Sequence, residues 1–462
     1  MTFEYIHKSH NKSLVIVFAG WGMDSHPFED LHVDECDIAV AYNYADFRGD
    51  NISSGYDNVY VFAWSFGVFA AARWLYDNNI NPTIAVAING TLSPVDDTLG
   101  IPVGIFRATL DSLSEDSLVK FQKRMCGIKG FAEFRQNPPE RTIDSLRDEL
   151  VEMDRQKSKT DCLFRNWNIA YIADNDRIFP PQNQDNAWSR TSAIRLRLKG
   201  QFHRPDSFQA IIDANIIDKR IVKTRFEKSQ PLYDSYAQGQ ARIAQRLMQM
   251  WSTLPATDRP TVLEIGCGTG IFTRLYTPNI NPGHVFLNDL TDIPKSLITP
   301  QTTVLKGDAE TIDIPDNIDF AVSTSAIQWF NNPKRFICNI AKHLAPDGYL
   351  ILSTFGTQNY CELRQSFASS LVYHSADNWR EIVTQAGLTP VDISEESFTM
   401  TFDSIAQMLT TLRQTGVNAV KTPSQITKST ILELERNIPT IDGKYGLTFN
   451  PIYIIAKNDN RQ

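Results

Sequence analysis

Short apolar runs recur through the first half of the chain at residues 14–19, 59–64, 84–88, 169–173 and 194–198, each separated by polar or helix-patterned stretches. That rhythm predicts buried strands alternating with helices. Between residues 112 and 155 it gives way to long charged stretches with apolar positions at helical spacing, opened by Ser114-Glu115-Asp116, an N-cap followed by acidic first-turn residues. A helical insertion over the sheet is expected there. From Pro260 a second series begins, in which TVLEIG, HVFLND, TVLKGD, IDFAVSTS and GYLILSTFG each predict a strand, with helix-length segments between them. No internal repeat relates the halves, so two different α/β folds are expected in one chain. The basic segment DKRIVKTRFEK lies between them and lacks β alternation, giving the expected division: domain 1–217, linker 218–228, domain 229–462.

Composition narrows the function classes. A length of 462 residues allows two or three domains, and 42% hydrophobic residues argue for packed cores rather than disorder. The net charge of −8 opposes general nucleic-acid binding, which relies on Lys and Arg neutralising phosphates. Six cysteines at 36, 126, 162, 267, 338 and 361 form no C-x-x-C pair, and no His stands at zinc-ligand spacing, so neither a disulfide framework nor a metal site is expected. A reducing, cytoplasmic setting fits that usage. The apolar stretch at 14–19 is far shorter than the ~20 residues of a membrane span and reads as a buried strand.

The strand VYVFAW runs into Ser65-Phe66-Gly67 and then a helix-patterned VFAARWLYD. This strand, tight turn and helix is the setting of a nucleophile elbow, with Ala63 replacing the usual glycine two residues before the serine. Two strand ends further along carry the other members of a triad: Asp174-Asn175-Asp176-Arg177-Ile178-Phe179-Pro180 and Phe202-His203-Arg204-Pro205. The order Ser, Asp, His is that of α/β-hydrolases. His203 is expected to take the Ser65 proton, and Asp176, preferred over Asp174, to orient the imidazole. After the first strand, Phe18-Ala19-Gly20-Trp21-Gly22 lets the backbone turn so that the Trp21 N–H, with that of Phe66, can meet a developing oxyanion. These strings, FAGWG, AWSFG, NDRIFP and FHRP within about 215 residues, resemble the pimeloyl-ACP methyl ester esterases of the BioG type.

In the second half, Val262-Leu263-Glu264-Ile265-Gly266-Cys267-Gly268-Thr269-Gly270 is a strand ending in E-x-G-x-G-x-G before a helix. Glycines there allow a ligand to approach the backbone closely. Asp289 ends the next strand, where a carboxylate can hold both hydroxyls of a ribose. Dinucleotide sites compete for that reading, though the spacing differs. With Gly307-Asp308-Ala309-Glu310 after a third strand, the set resembles the class I S-adenosylmethionine methyltransferases. The resemblance implies a Rossmann-like fold, S-adenosylmethionine as cofactor, and contacts from Glu264, Gly266, Gly268, Gly270, Asp289, Asp308 and Ala309. Two rarer strings resemble the malonyl-ACP O-methyltransferases of the BioC type. One is FEKSQPLYDSYAQGQ from Phe226, against F-x-x-A-A-x-x-Y-D-x-x-A-x-x-Q, with Ser229 and Gln230 replacing the alanines; the other is STSAIQW from Ser323, with Thr324 replacing an asparagine. They imply that Tyr233 and Gln328 orient the substrate.

Together the resemblances imply an enzyme of biotin synthesis that methylates a malonyl carboxylate and later cleaves the pimeloyl methyl ester, with acyl carrier protein as partner. That acidic partner needs a local basic surface. Lys120, Lys123 and Arg124 fall at i, i+3 and i+4 of the insertion, with Lys129 and Arg135 beyond them, and the competing reading is a solvated lid face. Arg220, Lys223 and Arg225 could serve the second half similarly. Two other readings stay open at this level: a non-catalytic docking module in the first half, and a quinone or other small acid as methyl acceptor in the second.

Overall fold

In the computed structural model, which describes residues 1–363, 371, 373–416 and 428–459, the chain forms two units, Met1–Asp213 and Ala214–Gln462. The first is built on a seven-stranded sheet: β1 (Thr2–His7), β2 (Ser13–Phe18), β3 (Cys36–Tyr42), β4 (Asn58–Trp64), β5 (Ile84–Ile88), β6 (Ile169–Ala173) and β7 (Ile194–Leu198). Their order is β1-β3-β2-β4-β5-β6-β7, parallel except for the antiparallel edge pair β1 and β3. The five expected strands are present, and β1 and β3 are additions. β3 carries Asp37 in an otherwise apolar run; the carboxylate is wholly buried and accepts from the Ser9 and Asn11 N–H groups and the Tyr56 hydroxyl.

Helix α1 (Gly67–Asp77) follows β4 and buries eight of its eleven residues. The insertion between β5 and β6 holds α2 (Val103–Asp111), α3 (Glu115–Phe134) and α4 (Ile143–Gln156), and α5 (Pro181–Trp188) follows β6. Ser114 caps α3 through a reciprocal pair with Ser117, as the Ser-Glu-Asp opening predicts. α3 breaks at Gly127, whose φ of 69° and close approach to the Phe202 ring, 2.5 Å from where a Cβ would stand, exclude a larger residue. The division between units falls inside α6 (Phe208–Asn215), at 213/214 rather than 217/218.

The segment expected as a linker, 218–228, lies instead almost wholly in helix α7 (Lys219–Ser229) of the second unit. Asp218 caps it by accepting from the Arg220 and Ile221 N–H groups, and Val222 is buried in the core. Its charged residues had masked an apolar stripe. Helices α8 (Tyr233–Tyr236) and α9 (Gln238–Trp251) follow, and then the sheet: β8 (Thr261–Ile265), α10 (Ile271–Ile280), β9 (His284–Asp289), β10 (Thr302–Lys306), β11 (Ile318–Thr324), β12 (Leu344–Phe355) and β13 (Thr389–Glu395). β14 (Phe398–Phe402), β15 (Thr440–Ile441) and β16 (Lys444–Phe449) make a small separate sheet, and β17 (Pro451–Lys457) returns to the main one. The main order, β10-β9-β8-β11-β12-β17-β13, changes direction between β8 and β11. A crevice therefore opens beyond the carboxyl ends of those two strands, where open α/β sheets bind ligands.

Candidate active sites

Ser65 sits in the turn between β4 and α1 at φ 60°, a left-handed conformation that an L-residue adopts only under constraint. Gly67 makes the turn possible: a Cβ there would lie 2.3 Å from the Phe18 carbonyl oxygen. The turn aims the hydroxyl at His203, whose Nε2 lies 2.9 Å from Ser65 Oγ and whose Nδ1 lies 2.8 Å from Asp176 Oδ2. All three are buried, with relative exposures of 5, 1 and 5% for Ser65, His203 and Asp176. Asp176 accepts further from the Ile178 and Phe179 N–H groups and from Gln184 Nε2, which fill its lone pairs and hold it fixed. The His203 ring stacks on Phe179 at 5.8 Å, and its carbonyl accepts from Trp64 Nε1 and Asn89 Nδ2. With an acceptor-only carboxylate on Nδ1, that nitrogen carries the proton and Nε2 is free to accept one from Ser65. Asp174, the alternative acid, is exposed and lies 4.0 Å from Arg197.

The glycine-rich turn after β2 is fastened to the insertion. Trp21 Nε1 donates to the Leu146 carbonyl at 2.9 Å, and Arg141 donates to the Met23 carbonyl at 2.9 Å and to Glu149 at 3.4 Å. Glu149 is fully buried and also accepts from the Tyr44 N–H; burial pushes its carboxyl up to about 7, against the pull of Arg141 and of the Tyr44 and Gly22 N–H groups. Trp21 and Phe66 share with Ser65 a cleft of about 430 Å³, walled mainly by Ile101, Ile105, Phe106, Phe121 and Leu150. Arg124 and Arg177 stand in the same wall. Of the expected docking residues, Lys120, Lys123 and Arg124 are all exposed on α3, but only Arg124 reaches the cleft.

In the second unit the switch-point crevice, about 1000 Å³, is lined by Gly266, Gly268, Asp289, Asp308, Ala309 and Tyr233 among the expected residues. Gly268, at φ 55°, has nothing within 4 Å of where a Cβ would stand, so the backbone is bare to an incoming ligand. Asp289 is held by the Gly268 N–H and by Thr291, and Asp308 by Lys219 at 3.3 Å. Ile271, Phe272, Leu290 and Phe330 supply apolar walls. Carboxylates for ribose hydroxyls, bare backbone for an amino-acid moiety and apolar walls for a purine fit S-adenosylmethionine.

Two expected contacts are corrected. Glu264 does not line the crevice; it points under the strand, 1% exposed, and accepts from the Thr273 and Tyr276 hydroxyls of α10. Burial raises its carboxyl to about 7. Gly270 caps α10 at φ 88°, where a Cβ would meet Leu297 at 2.5 Å, so it shapes the turn without lining the site. Gln328 lies in a smaller chamber next to the crevice, and Tyr233 borders both. Lys219, Val222, Lys223 and Phe226 of α7 line the crevice although the sequence reading assigned them to a linker; their i, i+3, i+4, i+7 spacing was the available signal. Arg220 pairs with the capping Asp218, and Arg225 is partly buried.

Comparisons with known proteins match the two halves of the chain to different families. Residues 1–206 match the family model of pimeloyl-ACP methyl esterase BioG, and residues 233–393 match a methyltransferase domain. A malonyl-[acyl-carrier protein] O-methyltransferase of Bacteroides fragilis is 35% identical over 459 residues, spanning 96% of this chain and 93% of that protein. Its counterpart from Porphyromonas gingivalis is 32% identical over 254 residues, 54% of this chain and 99% of that one. The crystal structure of BioG from Haemophilus influenzae is 31% identical with a TM-score of 0.41, covering 44% of this chain and 94% of that chain. The protein thus joins an α/β-hydrolase unit to a class I methyltransferase unit that uses S-adenosylmethionine. It belongs to the malonyl-[acyl-carrier protein] O-methyltransferase family, as a fusion with a BioG-type esterase unit. Among the described residues, no helix is long and apolar enough to cross a membrane.

Proposed function

We propose that the second unit methylates the free carboxylate of malonyl-ACP, or of malonyl-CoA, and that the first unit hydrolyses pimeloyl-ACP methyl ester to pimeloyl-ACP and methanol. The observation that carries the hydrolase reading is the continuous Ser65, His203, Asp176 chain at the floor of an apolar cleft. Ser65 Oγ attacks the ester carbonyl while its proton passes to His203 Nε2, and the backbone N–H groups of Trp21 and Phe66 receive the oxyanion. His203 returns the proton to the departing methoxide, which leaves as methanol. It then deprotonates the water that releases the acid. The apolar walls suit the methylene chain of a pimeloyl group better than the three-carbon malonyl group, so the insertion would measure acyl length and spare the shorter ester.

For methyl transfer, S-adenosylmethionine supplies an electrophilic methyl when bound. The malonyl carboxylate is already ionised near pH 7, so no residue need act as a base. Asp289 and Asp308 would hold the ribose and adenine ends and the glycine turn the amino-acid end, while Tyr233 and Gln328 would orient the acceptor and keep water out. Esterification removes a charge that chain-elongating enzymes would have to bury, and hydrolysis restores it. This places both units in the making of the biotin precursor.

The test is to incubate the full-length protein and its Ser65→Ala variant with malonyl-ACP plus S-adenosylmethionine and, separately, with pimeloyl-ACP methyl ester, and to weigh the intact carriers. A methyl gained by malonyl-ACP, and a methyl lost from the pimeloyl ester only when Ser65 is present, are the expected results. Carriers unchanged in mass overturn the assignment; equal hydrolysis of the malonyl and pimeloyl esters overturns length selection.

A further inference from the structure

The wall formed by Phe226, Tyr233, Gln240, Ser325 and Trp329 is shared between the cofactor crevice and the smaller chamber, a space of about 320 Å³ whose lining also includes Phe355, Tyr360 and Tyr373. Three polar atoms of the chamber's lining residues, Ser325 Oγ, Gln328 Oε1 and Tyr360 OH, are buried with no hydrogen-bond partner among the described residues. Folding leaves such atoms unbonded at a cost in stability. Two of the three residues are also held on left-handed backbone, Ser325 at φ 53° and Tyr360 at φ 51°. For a serine and a tyrosine that conformation is itself unfavourable, and it persists only where neighbouring bonds enforce it. Here the Ser325 N–H bonds the Ser353 carbonyl at 3.0 Å and the Tyr360 N–H bonds the Thr448 carbonyl at 2.9 Å. Tyr360 is only 7% exposed, and its ring meets Phe449 edge-on at 5.1 Å. Two strained residues with unpartnered hydroxyls thus line one small space beside the crevice.

The chemistry of those atoms selects the ligand. Gln328 Nε2 gives one of its two N–H bonds to the Ser325 carbonyl at 2.6 Å, and its Oε1 can only accept. The Ser325 and Tyr360 hydroxyls are the donors of that lining that are buried with no partner among the described residues. Burial raises the Tyr360 hydroxyl well above its ordinary value near 10, so it keeps its proton. Among the described residues, the chamber's lining carries no Lys, Arg, Asp or Glu. A carboxylate entering it meets neutral donors and, among the described residues, no counter-charge.

We propose that this chamber is the acceptor site, in which the Ser325 and Tyr360 hydroxyls donate to the acceptor carboxylate and the positive charge of the neighbouring cofactor completes the site. The assignment rests on the methyl-transfer reading above. Neutral donors fix the carboxylate without the bidentate pairing an arginine would impose, which would draw on the lone pairs needed for attack. In the reaction one carboxylate oxygen forms a bond to the methyl carbon, the carbon–sulfur bond breaks, and its electron pair stays on sulfur. The negative carboxylate and positive sulfonium become a neutral ester and a neutral thioether, and no proton is transferred. A site without its own charge then loses its hold on the product.

The test is calorimetric binding of malonyl-ACP and of its methyl ester to the full-length Ser65→Ala protein, alone and with Tyr360→Phe or Ser325→Ala. Each titration is done with S-adenosylhomocysteine, a neutral thioether, and with sinefungin, whose ammonium carries positive charge at the methyl position. The free acid is expected to bind about ten-fold more tightly beside the cationic analogue, and each added variant to lose about ten-fold of that affinity. Binding of the ester and, for Tyr360→Phe, of both analogues should stay within about two-fold, and melting temperatures should hold or rise, because no existing bond is removed. Free-acid affinity that ignores both the hydroxyls and the analogue's charge overturns the assignment while leaving malonyl-ACP as substrate. A parent protein that binds both analogues but neither carrier overturns the malonyl reading and this site with it.

Discussion

At Ser65 each side-chain atom that would handle the proton already has its partner: the hydroxyl has His203, His203 has Asp176, and Asp176 has two N–H groups and Gln184. In the second unit Ser325, Gln328 and Tyr360 have atoms with none among the described residues. The difference follows from where each reaction finds its nucleophile. A serine hydroxyl is inert until a base removes its proton, so a hydrolase must carry the whole proton path ready-made. A carboxylate and a sulfonium arrive with their charges, so the second unit needs only a shaped space and donors that stay unused until the ligand comes. Preorganisation in one unit consists of bonds already formed, and in the other of bonds held back.

The strongest break in that comparison comes from Asp176→Asn. It should lower kcat for ester hydrolysis by about 10⁴-fold by leaving the imidazole in the wrong tautomer, with methyl transfer unchanged. Steady-state rates of both reactions on one preparation would check it, and parallel losses would mean the units do not act independently. A smaller effect is expected from Glu264. Its folded-state carboxyl, near 7 against an ordinary 4.5, keeps a proton that the unfolded chain releases. Stability of the second unit should therefore fall as pH rises from about 4.5 to about 7, by up to about 3 kcal/mol, and Glu264→Gln should flatten that slope. Denaturant melts at pH 5 and pH 8, with the transition identified by its shift on adding S-adenosylhomocysteine, would measure it. The smallest effect concerns the surface. Lys120→Glu with Lys123→Glu should raise KM for the carrier-bound ester by roughly three- to ten-fold and leave hydrolysis of a small ester alone. Equal changes on both substrates would place those lysines outside carrier docking.

Much of this was legible in the chain because strand ends carry the chemistry of both folds. Ser65, Asp176 and His203 each follow an apolar run, and the glycine turn and Asp289 do the same in the second unit. Period and punctuation locate such residues without any tertiary knowledge. Direction was harder. Glu264 belongs to the same motif as Gly266, yet lies on the strand with its side chain turned toward α10, and spacing alone does not say which side of a parallel strand faces the ligand. Asp37 interrupted β3 and hid it, and the cationic residues of α7 hid the face that lines the crevice. Tyr360 had no signal at all, since it stands in a turn 35 positions after Ser325 and the two share a wall only in the folded chain.

The fastening of α4 to the glycine turn has one more consequence. The indole of Trp21 on Leu146 and the guanidinium of Arg141 on Met23 make the cover of the hydrolase cleft part of the frame that positions the turn beside Ser65. A cover tied in this way cannot swing aside without disturbing that frame. The shape of the cleft and the position of the glycine turn are therefore set together by the same two bonds.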